Sequence, residues 1–442
     1  MTAVSPDETS QLSCRDDASA ASGAGAADDA VFGEPPRRAD PGEVWRGEPA
    51  TGAALWGAPA RALFTLDADT RYLNHGAYGA TPRAIQAGQA DWRARMERNP
   101  ARFFMRELPG ALRQAADAVA DFVGTDPERL GFVANATEGV ATVVRGLALE
   151  PGDEIVVTDH QYNAVRQLLA FAAAATGARV VTVPLGMPIA DPAVVTDAIG
   201  EAIGARTRLV IVDHVASGSA VTFPVAAVAA LCRARAVPLL VDGAHAPGLL
   251  DLDVDAIGAD YYVGNGHKWL CGAKSAAFVA VGRSAAPVHP LAISHAYGQG
   301  FAPEFDKQGT RDMSAVLTLP LAVALHRSLG GPALRDRNRD LALAAAEDAA
   351  AALGTGLGAV PSAFQSMVTV SLPAGAEPTR EGVARLGAHL YDAHGIEAAF
   401  TTLAGAVWLR ISAQVYNEAA DYRGLGAAVA EAVALERGEG GA

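Results

Sequence analysis

Three strand-like runs of this chain each end in residues able to do acid–base or covalent chemistry: Asp213, Asp242 and the group Asn265-Gly-His-Lys268. They are spaced about one strand-plus-helix repeat apart. In a parallel sheet all three therefore fall on the carboxyl edge, where such sheets bind ligands. A carboxylate, a histidine and a lysine gathered there point to pyridoxal phosphate (PLP) chemistry. That cofactor needs a lysine amine for its Schiff base and a carboxylate to keep its pyridine nitrogen protonated. The lysine must be neutral to attack an aldehyde, and burial lowers its pKa in that direction. Other chemistries find no support. There is no HExxH, no Gly-x-Gly-x-x-Gly after a strand and no Gly-x-Ser-x-Gly. Gly272-Ala-Lys-Ser275 separates the glycine and lysine that a phosphate-binding loop keeps adjacent.

The elements that must position these residues follow from the apolar pattern. Glu154–Thr158, Val180–Val183, Leu209–Val212 and Leu239–Val241 are short β-branched runs. Between the last two lies Pro224–Arg235, helix-like with proline near its start. Strands buried on both faces and alternating with helices predict a mostly parallel α/β sheet. After about Thr318 the texture changes. A long Ala/Leu-rich helical stretch is expected over 322–353, then strands at Met367–Ser371 and Val407–Ser412, with a surface turn at Pro373–Pro378. The predicted organisation is a disordered extension over 1–52, a large domain over 53–318, a smaller α+β domain over 319–436 and a tail over 437–442.

Composition narrows the function classes. The chain has 442 residues, 50% apolar, enough for two or three domains at about 100–200 residues each. Its formal charge of −14 argues against a nucleic-acid or anionic-membrane binder. The three cysteines, Cys14, Cys232 and Cys271, form no CxxC pair, so a reducing compartment, the cytoplasm, is expected. No apolar run of about 20 residues predicts a membrane span, and the acidic, Ala- and Ser-rich N-terminus does not read as a secretory signal.

Several motifs, in order, resemble the class V aminotransferase group of fold-type I PLP enzymes, and within it the isopenicillin N epimerase-like branch. They are Tyr72-Leu-Asn-His-Gly-Ala-Tyr-Gly-Ala-Thr-Pro82, Asn99-Pro-Ala-Arg-Phe-Phe104, Asp213-His-Val-Ala-Ser217, Val241-Asp-Gly-Ala-His245 and His267-Lys268-Trp-Leu-Cys-Gly272. The resemblance spans about residues 65 to 430. It implies that Lys268 forms the Schiff base, where the bland reading is a surface lysine beside a tryptophan. Asp242 would pair with the pyridinium, although alone it would read as a helix cap. His245 would reach the phenolic oxygen of the ring, against a satisfied core histidine. Ala136 and Thr137, in Asn135-Ala-Thr-Glu-Gly139, would cradle the phosphate, since a helix start exposes N–H groups to an anion. An ordinary capping turn looks the same.

By the same resemblance His267 would contact the phosphate, while Asn265 stands where related desulfurases often carry Ser. His160 would stack on the ring, opposite the lysine. On spacing alone a loop histidine reads equally well. Thr310, after Gly309, would reach the phosphate of a neighbouring subunit, which implies a homodimer with shared active sites. Arg410 would hold the substrate carboxylate as a bidentate pair. Asn74, His75 and Tyr297 would line the substrate pocket.

The reaction implied first is epimerisation at the α-carbon of an amino acid, with Lys268 serving one face and His160 or a water the other. The alternatives are β-elimination from an S-conjugated cysteine and transamination. Cysteine desulfurase is disfavoured, because no cysteine follows Cys271 to act as the downstream nucleophile. A PLP fold that has lost catalysis conflicts with the intact Lys268, Asp242 and Arg410.

Overall fold

Short runs rich in Val, Ile and Leu build a central sheet whose side chains alternate between two buried faces. The computed structural model describes residues 55–437. The extension expected over 1–52 lies outside the described residues, as do residues 438–442 of the expected tail. The strands are β1 (Arg71–Tyr72), β2 (Leu130–Val133), β3 (Glu154–Thr158), β4 (Arg179–Val183), β5 (Thr207–Asp213), β6 (Leu239–Gly243), β7 (Tyr261–Asn265), β8 (Ala277–Val281), β9 (Met367–Ser371), β10 (Ile396–Glu397), β11 (Ala399–Leu403) and β12 (Ala406–Ser412). Seven of them form one sheet in the order β2-β8-β7-β6-β5-β3-β4. β3 to β7 run parallel, whereas β8 is antiparallel to both of its neighbours.

In β5, Leu209 and Ile211 pack to one face with Leu240 and Val263, under the helices Ala136–Gly146 and Asn163–Thr176. Val210 and Val212 pack to the other with Val241, under Leu108–Val123 and Val225–Ala234. Each fully buried aliphatic side chain contributes about 1.5–3 kcal/mol. The central strands are thereby fixed in register, and with them the residues at their carboxyl ends. The mostly parallel α/β sheet read from the sequence is present. At its edge, β4 is only partly covered, and Arg179 and Thr182 are exposed.

The C-terminal part carries the antiparallel sheet β11-β12-β9 and the helices Arg380–His394 and Leu425–Glu436. Strand β1 pairs with β10, joining the start of the described chain to this region. The single long helix expected over 322–353 is corrected to two, Leu319–Ser328 and Pro332–Leu353. Gly330 and Gly331 between them take positive φ, and Pro332 then starts the second helix without needing an N–H donor.

Candidate active site

Strands β5, β6 and β7 are hydrogen-bonded neighbours in parallel register, with Asp213 opposite Asp242 and Gly243 opposite Gly264. The sheet therefore delivers two carboxylates and the Lys268 loop to one edge. Both carboxylates are almost fully buried. Asp242 Oδ1 accepts from the Ala244 N–H at 3.1 Å, while Asp213 Oδ2 has no protein partner. Burial, then the negative charge of Asp242, holds the Asp213 carboxyl well above the usual range.

The Lys268 loop is pinned at its backbone. The Lys268 carbonyl accepts from Cys271 N–H at 2.9 Å and from His75 Nε2 at 3.0 Å. Gly79 presses on it from outside, at φ +71, where a Cβ would lie 2.1 Å from the His267 carbonyl oxygen. Only glycine fits that approach. Lys268 is half-buried, and the pKa of its amine falls to about 8, first by desolvation and then by the Arg410 charge, with Asp242 and Asp213 opposing.

Lys268 Nζ lies 3.1 Å from His245 Nε2, while the indole N–H of Trp269 donates to His245 Nδ1 at 3.2 Å. An indole can only donate, so Nδ1 is the acceptor and the proton of the neutral imidazole sits on Nε2. That N–H faces the amine favourably only when the lysine is neutral. Burial and the Lys268 charge hold His245 well below its ordinary pKa, in agreement.

Arg410, on β12, is 4% exposed and among the described residues makes no ion pair. Its Nη1 donates to the Ser217 carbonyl at 2.6 Å and to Ser217 Oγ at 3.2 Å. Its Nη2 donates to Asn74 Oδ1 at 3.3 Å, and its Nε is unpartnered. Burial lowers its pKa to about 10, opposed by the phenols of Tyr162, Tyr72 and Tyr78. A buried guanidinium without an anion is costly, and a substrate carboxylate would relieve that cost.

Other expected site residues fall differently. His75 is turned into the core beneath the lysine loop. It is fully buried, accepts from Tyr416 Oη and Ala80 N–H at Nδ1, and grips the lysine loop, so its role is positional. Burial lowers its pKa to about 3. Asn74 orients Arg410 and also donates to Glu397. Tyr297 is exposed and packs against His289. Thr310 is exposed.

His160 is buried with both ring nitrogens taken, Nδ1 by Ser219 Oγ at 2.8 Å and Nε2 by the Gly186 carbonyl at 3.2 Å. A carbonyl only accepts, so Nε2 carries the proton and Nδ1 receives the serine's. Two residues on, Tyr162 is 46% exposed and within electrostatic range of Arg410. The sequence reading passed over Tyr162, although Asp159-His-Gln-Tyr-Asn163 offers both aromatics at the same strand end. Between them Gln161 is buried with neither amide atom partnered. Ser217 and Trp269 were also passed over, although both stand in motifs that the sequence analysis singles out.

At the start of helix Ala136–Gly146, Asn135 caps the Glu138 N–H, and the Ala136 N–H donates to Asn265 Oδ1 at 2.8 Å. Ala136 is thus already paired. Thr137, exposed, is the remaining first-turn amide without a protein partner. His267 Nδ1 is buried and unpartnered. These donors fit PLP: Thr137 and His267 could hold its phosphate, Asp242 its pyridine nitrogen, His245 its phenolic oxygen and Lys268 its aldehyde carbon. A cleft of about 440 Å³ at the opposite edge of the sheet, lined by Arg129, Arg233, Asp255 and Arg283, has no part in this cluster.

Comparison with known proteins agrees. The aminotransferase class V family profile matches residues 82–421. The chain is 34% identical over 378 residues to an isopenicillin N epimerase of Streptomyces clavuligerus, covering 81% of this chain and 94% of that protein. It is 30% identical over 391 residues to a probable L-cysteine desulfhydrase, chloroplastic, of Arabidopsis thaliana, covering 81% and 82%. A C-DES variant solved with glycine covalently linked to its PLP cofactor superimposes with a TM-score of 0.69 at 22% identity, covering 84% of this chain and 99% of that one. Fold, strand-end chemistry and kinship coincide: the chain belongs to the class V aminotransferase family, and it is a PLP-dependent enzyme.

Proposed function

We propose that this enzyme cleaves the Cβ–S bond of an S-substituted cysteine by β-elimination. The observation that carries the choice is the contrast between Lys268 and His160. Lys268 is a base with a pKa near 8. His160, the residue the sequence reading sets on the opposite face, has both nitrogens committed to protein partners. Elimination needs one base, whereas two-base epimerisation needs proton donors on both faces.

PLP, when bound, supplies the electron sink that acidifies the α-proton. The chain's residues divide the remaining work. Arg410, held by Ser217 and Asn74, binds the α-carboxylate and fixes the α-carbon near Lys268. The neutral Lys268 amine takes the α-proton. The pair left on the α-carbon forms a Cα–Cβ double bond as the Cβ–S bond breaks, sulfur leaves with the pair of that bond, and the lysine ammonium returns a proton to the thiolate. His245 Nε2–H, its tautomer set by Trp269, would hold the cofactor's phenolic oxygen by donating to it. The exposed Tyr162, at the same strand end as His160, would be the aromatic available to flank the ring. The domain division read from the sequence serves the same scheme: residues 53–318 hold the cofactor, and 319–436 contribute Arg410.

Among the described residues a cysteine nucleophile has no support. Cys232 and Cys271 are buried, and burial pushes both thiols up to about 12. A homodimer is supported by the exposed Thr310 and by the exposed apolar side chains Leu291, Ile293 and Tyr297. The second reading, epimerisation, is favoured by the 34% identity to an isopenicillin N epimerase and by the exposed Tyr162 phenol as a second-face donor.

Proton NMR in D2O decides between the two readings. The PLP-loaded enzyme is incubated with L- and D-amino acids, S-substituted cysteines and a penicillin precursor with a free amino-acid arm. Loss of the β-substituent with pyruvate formation is the expected result. Deuterium at the α-position with convergence of both enantiomers, and no elimination, would make the enzyme an epimerase.

A further inference from the structure

Away from the lysine, the two C-terminal helices bring together a second set of chemically able side chains. His389 and His394 lie on Arg380–His394, and Glu431 lies on Leu425–Glu436. His389 Nε2 is 3.4 Å from Glu431 Oε1, and His394 Nε2 is 3.4 Å from Oε2. One ligand atom from each residue lies within 4.8 Å of the others. Both Nε2 atoms are buried, yet neither makes a hydrogen bond. An N–H donor bonded to a carboxylate would close to about 2.7–3.2 Å, and a buried polar atom left without a partner is destabilising.

Each imidazole nitrogen stands 3.4 Å from one oxygen of Glu431, close to the about 3.4 Å that separates ligands about 2.1 Å from a shared tetrahedral cation. Two neutral imidazoles and one carboxylate form a donor set suited to a borderline-soft divalent cation, with water at the fourth position. We propose that His389, His394 and Glu431 bind one divalent transition-metal cation of the zinc class, which clamps the last helix to its neighbour. The same helices are already joined by Arg385, bidentate to Glu436 at 2.7 Å on each oxygen. The cation would extend that bridge to a second point, independently of the reaction at Lys268.

The test uses PLP-loaded full-length enzyme freed of metal, titrated with Zn²⁺ by calorimetry and then with Co²⁺ for its d–d absorption. The expected result is one tight equivalent per chain that is lost in His394→Gln and in Glu431→Gln. Co²⁺ should give the intense bands of a four-coordinate site. Saturating Zn²⁺ should raise Tm by about 2–5 °C in the wild type and leave both variants unmoved. Both variants, metal-free, should keep the wild-type Tm within about 1 °C, which separates ligand loss from misfolding. Zn²⁺ binding that persists unchanged in both variants, or no stoichiometric binding at all, overturns the site.

Discussion

Three histidines near Lys268 and the two between the C-terminal helices are treated in opposite ways. His75, His160 and His245 each have both ring nitrogens in contact with polar protein atoms. All three are buried, and burial leads the fall in pKa for each. They are fixed donors and acceptors that set the orientation of a loop, a turn and an amine. His389 and His394 make no hydrogen bond at Nε2 and stand 3.4 Å from Glu431, on a partly exposed seam. A fully hydrogen-bonded imidazole is an orienting device, whereas one with an open nitrogen is a ligand in search of an acid. Titratable residue types alone do not distinguish these states.

The comparison can be broken at several points. The largest effect falls on the group that the core histidines serve. Lys268→Ala should lower turnover at least about 10³-fold, with the fold preserved by circular dichroism. Retained turnover would remove the reason for the arrangement. Arg410→Gln should lower kcat/KM about 10²-fold, mainly through KM, because the carboxylate loses a charged and desolvated partner. Steady-state kinetics with a decarboxylated analogue should erase the difference between wild type and variant.

Acid should distinguish the core next. Burial lowers His75 to about 3, and His214, His267 and His326 to about 4. The unfolded chain therefore binds more protons than the folded one below about pH 6.5. The stability they contribute is complete above that value and is lost as pH falls toward 4 and 3. At about pH 5 the cost is roughly 2 kcal/mol per histidine. The raised carboxyls of Asp213 and Asp242 offset part of it. Urea unfolding at about pH 7 and about pH 5 measures the net effect, and a flat profile would contradict the burial assigned to these rings.

A smaller change tests the tautomer. Trp269→Phe removes the donor to His245 Nδ1, so His245 should protonate more easily. Turnover should fall about 10-fold, and the acidic limb of the kcat–pH profile should move to higher pH. An unshifted limb would mean that Trp269 only packs. The smallest effect belongs to the other cluster. His389→Gln in metal-free buffer should leave kcat within about twofold, because it acts on neither substrate nor cofactor.

Much of the active-site edge was legible in the sequence. Asp213, Asp242 and Lys268 each follow an apolar run, and in a parallel sheet the carboxyl ends of neighbouring strands must lie side by side. The alternation of β-branched runs with helical segments is a local property, set by burial and propensity, and it reads directly. The helix break at Gly330-Gly331-Pro332 was also in the letters, although the Ala/Leu pattern around it masked the break.

What the tertiary structure alone decided is which of the eligible side chains meet. Arg410 is oriented by Ser217 and Asn74, 193 and 336 positions away along the chain. His75 reaches the Lys268 carbonyl across 193 positions. His160 turns inward while Tyr162 faces out, a difference set by the backbone path through three residues of loop. Sequence determined the strands, the edge they share and the residue types placed there, because periodicity and propensity are local. Partnership, protonation state and exposure were decided by packing, because each depends on atoms contributed by distant segments.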